Sequence, residues 1–159
     1  SALTATWECA QDAGIIITTG VNDTWKFTSD IDGYILITLT AGYYANLTTL
    51  AAAVAAAVLL VSGVTVTYTL LDDAANTTRP LFGFKRAGLD FTVWTYPSGG
   101  TAPYNLALLF GYHPNQGQLV PGPAGAYAFG YESPAYAKSP DMQISGINLR
   151  YRTFGRRPS

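Results

Sequence analysis

Hydrophobic and polar residues alternate along much of this chain, which is the period of β-strands that bury one face. The clearest case is residues 24–28, where Trp25 and Phe27 fall on one face and polar side chains on the other. This strand and residues 34–40 flank a polar turn at 29–33, which predicts a hairpin. A second hairpin is predicted from residues 64–70, 72–77 and 80–86. Further strands are predicted at 14–20, 90–96 and 145–153.

Residues 47–60 interrupt the alternation and predict the one long helix. Asn46 is a favourable N-cap, the segment is rich in Ala and Leu, and Ser62-Gly63 provides a stop. The helix is apolar nearly all round, so it should be covered on more than one side. Val54 and Val58 lie four residues apart on one helix face and are candidate assembly contacts.

The predicted fold class is α+β and β-dominated, with antiparallel strands and hairpins, the Ala-rich helix and a short helix near 103–110. The length of 159 residues fits a single domain. Within it we expect a β-rich body at 1–113 and a Pro/Gly/Ala/Tyr-rich loop or arm at 114–140, with a short extended piece near 127–131. A final strand and a basic tail follow at 141–159.

Charge is scarce, and this narrows the function. Only 12% of residues are charged, about half the ~25% of an average soluble domain, while 48% are hydrophobic and the net charge is −1. A surface short of charge suits a protein covered by partners, so we expect self-association or binding to a larger assembly.

The last ten residues carry four arginines and no acidic residue. These arginines are Arg150, Arg152, Arg156 and Arg157. Contact with a neighbouring subunit is favoured for them over nucleic acid or a solvated end.

Candidate catalytic chemistry is sparse. One cysteine, Cys9, and one histidine, His113, exclude an internal disulfide and a histidine metal cluster. The acidic pairs Asp30/Asp32 and Asp72/Asp73 lie in predicted turns, and neither a nucleophile elbow nor a phosphate-binding loop is present. We therefore expect no catalytic, cofactor or metal site. No signal peptide and no membrane-spanning segment are expected either.

Aromatic residues and asparagines offer weaker alternatives. A sugar- or base-stacking platform is one interpretation of six aromatic residues, and core or contact use is the more common one. These residues are Trp94, Tyr96, Tyr127, Phe129, Tyr131 and Tyr136. Three Asn-x-Ser/Thr triplets begin at Asn22, Asn46 and Asn76, for which capping and turn use is favoured over glycosylation.

The order of motifs in the middle of the chain resembles a known module. A strand leads into Ala41-Gly-Tyr-Tyr44, followed by the Leu-rich helix, the hairpin of residues 64–86, the strand at 91–94 and the closing motif Leu108-Leu-Phe-Gly-Tyr112. Residues 31–113 thereby resemble a module of virion structural proteins in tailed phages and other double-stranded DNA viruses. The resemblance implies a particle component, such as a capsid decoration, tail or connector protein, and it transfers no catalytic residues.

The sequence therefore predicts a non-enzymatic structural subunit located in the virion. Its expected partners are other virion proteins, such as a major capsid or tail protein, and further copies of itself. Direct nucleic-acid contact is possible but not favoured. Tyr127, Phe129, Tyr131 and Tyr136 join the helix valines and the tail arginines as candidate assembly contacts. The first alternative is a carbohydrate- or receptor-binding β domain, and the second is a small hydrolase that uses His113.

Overall fold

The computed structural model describes residues 14–73 and 76–134, and within 71–79 it describes the backbone alone. Antiparallel strands dominate this part of the chain, together with one long helix, so the predicted α+β, β-dominated class is confirmed. The strands, in chain order, are β1 Ile15–Ile17, β2 Thr24–Ser29, β3 Gly33–Thr38, β4 Gly42–Tyr44, β5 Thr67–Asp73, β6 Asn76–Lys85, β7 Phe91–Trp94, β8 Leu119–Gly122 and β9 Ala128–Phe129. The helices are α1 Leu47–Ser62 and α2 Asn105–Leu109.

The strands form three antiparallel sheets in the described residues. β1 pairs with β4, the four-stranded sheet has the order β3-β2-β7-β8, and the three-stranded sheet has the order β5-β6-β9. Both predicted hairpins are present, as β2–β3 and β5–β6. In β2 the alternation holds residue by residue, because Trp25 and Phe27 are fully buried while Thr24, Lys26 and Thr28 are only partly covered.

Local capping sets the limits of helix α1. The side chain of Asn46 accepts a hydrogen bond from the Thr49 N–H at 2.8 Å, as expected of an N-cap. At the other end Gly63 adopts φ +76°, and its N–H donates to the Leu59 carbonyl at 2.8 Å. The helix is two residues longer than the predicted 47–60, because the left-handed turn comes at Gly63. The predicted short helix at 103–110 is likewise trimmed, to Asn105–Leu109.

Aromatic side chains connect the two larger sheets. The Trp25 ring from the four-stranded sheet lies 5.6 Å from Phe84 of the three-stranded sheet. It also stacks on Phe110 at 5.4 Å and meets Tyr112 edge-on at 5.5 Å, just after α2. The indole N–H donates to the Trp94 carbonyl at 2.8 Å, so the one polar group of the Trp25 side chain is satisfied. Tightly packed rings of this kind make the core sensitive to any change of shape.

The described part of the predicted arm belongs to the body, which corrects the expectation of a loop or arm for residues 114–134. β8 pairs with β7 and β9 pairs with β6, so this segment adds one strand to each of the two larger sheets. Glycine makes the close packing possible. A Cβ on Gly122 would lie 2.6 Å from the Ala126 carbonyl oxygen, and one on Gly130 would lie 2.9 Å from the Gly111 carbonyl carbon. Tyr136, the final strand predicted at 145–153 and the basic tail lie outside the described residues.

The hydroxyl of Tyr112 ties this returning segment to the core. Tyr112 is fully buried, and its hydroxyl donates a hydrogen bond to the Ala128 carbonyl in β9. Burial raises the pKa of Tyr112 above its ordinary value of 10.0, because the phenolate would lose its hydration. The neutral hydroxyl therefore remains a donor throughout the range in which the protein is handled.

We predict that Tyr112→Phe lowers the free energy of unfolding by about 1–3 kcal/mol, because the buried Ala128 carbonyl loses its donor. Urea denaturation followed by far-ultraviolet circular dichroism measures this change. Tyr34→Phe is the matched control, since it removes the same atom from a side chain that is 70% exposed. Equal stabilities of the two variants would contradict the role assigned to Tyr112.

Candidate functional site: the outer face of helix α1

Helix α1 has one buried face and one exposed face, and both are apolar. Leu47, Leu50, Ala51, Val54 and Val58 are buried against the sheet. On the opposite side Leu60 is 88% exposed and Leu59 is about half exposed. Val61 follows Val58 by three residues on the inner stripe and is about half exposed near the end of the helix. A surface helix normally places charged or polar residues on this outer face. Here the sequence provides none beyond two threonines and a serine.

A shallow groove runs beside the exposed face, between the helix and the chain around β3 and β4. Its volume is about 280 Å³. The lining residues are Thr38, Leu39, Thr40, Tyr44, Ala53, Ala56, Ala57 and Leu60. The Tyr44 hydroxyl is already used, because it donates to the Thr40 carbonyl at 2.7 Å. The groove therefore presents mainly methyl groups, and it suits an apolar occupant better than a polar ligand.

Val54 and Val58 are not on this exposed face. Both are fully buried in the chain's own core, which corrects their assignment as assembly contacts, because a side chain under the sheet cannot reach a partner. The large apolar residues of the helix that do reach the surface, Leu59, Leu60 and Val61, were not singled out from the sequence. An all-apolar helix hides which side faces inward, since no polar stripe marks the outside.

The candidate contacts of the 127–131 segment lie beside the three-stranded sheet. The rings of Tyr127 and Phe129 are 5.6 Å apart, and both are partly buried. Phe129 packs so closely on Gly83 that a Cβ there would lie 2.9 Å from the ring. Tyr131 is about half exposed, and its backbone N–H donates to the Gln116 side chain. Tyr127 and Phe129 therefore serve the packing of β9, and Tyr131 lies at the surface.

The aromatic residues of the suggested platform that the structure describes are not brought together on one surface. Trp94 lies in the four-stranded sheet, whereas Tyr127 and Phe129 belong to the region of the three-stranded sheet. The ammonium group of Lys26 lies 4.1 Å from the ring centres of both Trp94 and Tyr34. Trp94 itself is only 6% exposed. A cation over the ring occupies the place that a sugar or base would need.

His113 performs a structural task in a turn. The imidazole Nδ1 of His113 accepts a hydrogen bond from the backbone N–H of Asn115 at 3.1 Å. The backbone N–H of His113 donates to the side-chain oxygen of Gln116 at 3.0 Å. These bonds cap the 3₁₀ turn Pro114–Gln116. Within residues 14–73 and 76–134, no group of three or more His, Cys, Asp or Glu residues is arranged to hold a metal ion.

Four of the polar side chains singled out in the sequence, two aspartates and two asparagines, have local partners. Asp30 and Asp32 lie 3.6 and 3.8 Å from the Arg86 guanidinium, at the turn between β2 and β3. Asn46 caps helix α1, and Asn22 bonds the backbone of Thr18 and Ile16. Capping and turn use is thus confirmed for these two asparagines. In the described part of the chain, no helix has the length and apolar character needed to cross a bilayer.

No protein-family model, curated protein or solved structure is significantly similar to this chain. Evidence for function therefore comes from the residues of the chain itself, and the outer face of α1 is a surface that departs from an ordinary protein exterior.

We predict that Val58→Asp prevents folding, because an unpaired carboxylate would be buried at a position that is fully covered. Ala52→Asp, on the exposed face of the same helix, should leave a folded protein. Circular dichroism and the yield of soluble protein distinguish the two. A native-like Val58→Asp variant, or an unfolded Ala52→Asp variant, would show that the helix is placed the wrong way round.

Proposed function

We propose that this protein is a non-enzymatic structural subunit of a virus particle, and that it stabilises the capsid or tail through protein–protein contacts. The observation that carries the proposal is the uncharged, apolar outer face of helix α1. Leu60 alone is 88% exposed in the single chain. Contiguous apolar surface of this kind is typical of sites that another protein covers.

The scarcity of charge supports the same proposal. No charged residue occurs between Asp32 and Asp72, a stretch that includes β3, β4, α1 and most of β5. A protein that works alone in solution needs charge to resist association. A subunit held permanently among partners does not have this need, so a long uncharged stretch suits an assembled state.

The resemblance of residues 31–113 to a module of virion proteins supplies the biological setting. The resemblance indicates a virus particle, whereas the exposed helix face indicates only that another protein binds there. Together they favour a virion location and partners such as a major capsid or tail protein. The two rival functions have less support. Lys26 covers the ring faces that a carbohydrate platform would use, and His113 is engaged in capping a turn.

The test is the composition of purified particles. Virions from the source of this sequence are banded on a density gradient, treated with nuclease, washed in high salt and analysed by quantitative mass spectrometry. We expect the chain at a fixed ratio to the most abundant particle protein, unchanged by the wash. A non-structural protein of similar abundance in the infected cell serves as the control and should disappear. Absence of the chain from washed particles, or a ratio that varies between preparations, would refute the proposal.

A further inference from the structure

Helix α1 carries two seams of the kind that helices use for packing. The inner seam is Leu47, Ala51, Val54 and Val58, which is buried against the sheet. The outer seam is Thr49, Ala53, Ala56 and Leu60, with the same spacings of four, three and four residues. This spacing keeps side chains on one stripe along a helix and is the pattern of helix–helix contact. The outer seam is accordingly suited to a second helix.

The described residues offer no helix of their own for this seam. The other α-helix, α2, has five residues, and its Leu106 and Ala107 are already buried in the core. We propose that the occupant of this seam is α1 of a second copy of this chain, packed antiparallel across a twofold axis. The seam would thus be an interface between identical subunits.

The arrangement of side chains is self-complementary in this orientation. The spacing of four, three and four reads the same in both directions, so two antiparallel copies place Ala53 opposite Ala56 twice. Leu60, the largest and most exposed residue of the seam, then lies opposite Thr49 of the partner, next to the alanine-lined groove. Small residues at the centre let the two backbones approach closely. A parallel pair would instead set each seam residue against its own copy, with Leu60 against Leu60 at one end and Thr49 against Thr49 at the other.

Charge is consistent with a second copy. The helix and the residues that line its groove contain no ionisable group except the Tyr44 hydroxyl. Two copies therefore meet without like-charge repulsion, and a strongly charged partner would gain nothing from this surface. An uncharged, apolar face is best covered by another uncharged, apolar face, and the outer face of α1 in a second copy is such a surface.

The length of the seam sets the strength of the contact. A helix of 16 residues is about 24 Å long, and one helix pair of that length buries less than the ~1,200 Å² of a stable interface. We therefore expect reversible, concentration-dependent association of the free protein. Within a particle this contact would act together with others. The inference rests on the proposed function in one respect: it identifies a second copy of the chain as one partner of the proposed structural subunit.

Sedimentation equilibrium of the purified full chain over a range of concentrations tests the seam. We expect the wild type to shift from monomer towards dimer as concentration rises. Leu60→Lys should weaken this association at least about tenfold, because it removes the apolar contact at both ends of the interface. Val21→Lys is the matched control, since it places the same charge on an exposed apolar residue away from the helix and should associate like the wild type.

A charge pair tests the antiparallel register. Thr49→Glu combined with Leu60→Lys places opposite charges face to face at both ends of the dimer. Each change also suits its end of the helix dipole. We expect the double variant to regain association at low salt and to lose it in about 0.5 M salt, because screening weakens exposed ion pairs. The single variants control for the folding of the helix, checked by circular dichroism.

Three outcomes would overturn the inference. They are a wild type that remains monomeric at every concentration, a Leu60→Lys variant that associates as well as Val21→Lys, and a double variant that does not regain association. A monomeric wild type that still co-purifies with particles at a fixed ratio would refute the seam and leave the proposed function standing. A protein that dimerises through the seam but is absent from particles would support the seam and refute the proposed function.

Discussion

The burial of Trp25 between the two larger sheets is the contact on which the rest of the fold depends. Its ring meets Phe84 from one sheet and Phe110 and Tyr112 from the segment after α2, while its N–H is bound by the Trp94 carbonyl. Side chains from distant parts of the sequence therefore meet at one residue. Such packing fixes the positions of the sheets and leaves little room for substitution.

The same core determines what helix α1 presents to its surroundings. Because Val54 and Val58 are taken up by the contact with the sheet, the remaining side of the helix points away from the core. An ordinary domain would place lysine and glutamate there. This chain has alanine and leucine at these positions. Their contact with water is unfavourable in free energy, and that contact is lost only when another surface covers the face. The fold and the proposed role in an assembly are connected by this one helix.

Local signals in the sequence were sufficient for the elements and insufficient for their arrangement. Asn46 and Gly63 determine the ends of α1 through bonds to their own neighbours, and the alternation in β2 separates its faces without help from the rest of the chain. The extended piece predicted near 127–131 contains β9, but the strand at 119–122 and the pairing of both segments with the two larger sheets could not be predicted in the same way. Both strands lie in a Pro- and Gly-rich segment, and they exist because β7 and β6 offer hydrogen-bonding edges far away in the sequence.

The candidate site shows the same division. The sequence correctly drew attention to an apolar helix, but it directed the contacts to Val54 and Val58, which the core uses. Which side faces inward depends on tertiary packing, because neither seam carries a charged residue. The covering of Trp94 by Lys26 was equally hidden, since the two residues are far apart in the sequence and meet only across neighbouring strands.

The most direct test of the account is the chemical accessibility of position 56, at the middle of the outer seam. Ala56→Cys, made in a Cys9→Ser background, is treated with a maleimide at low and at high protein concentration. The account predicts rapid labelling in dilute protein, where the face is exposed, and markedly slower labelling in concentrated protein, where a second copy covers it. Equal rates at both concentrations, whether fast or slow, would contradict the account.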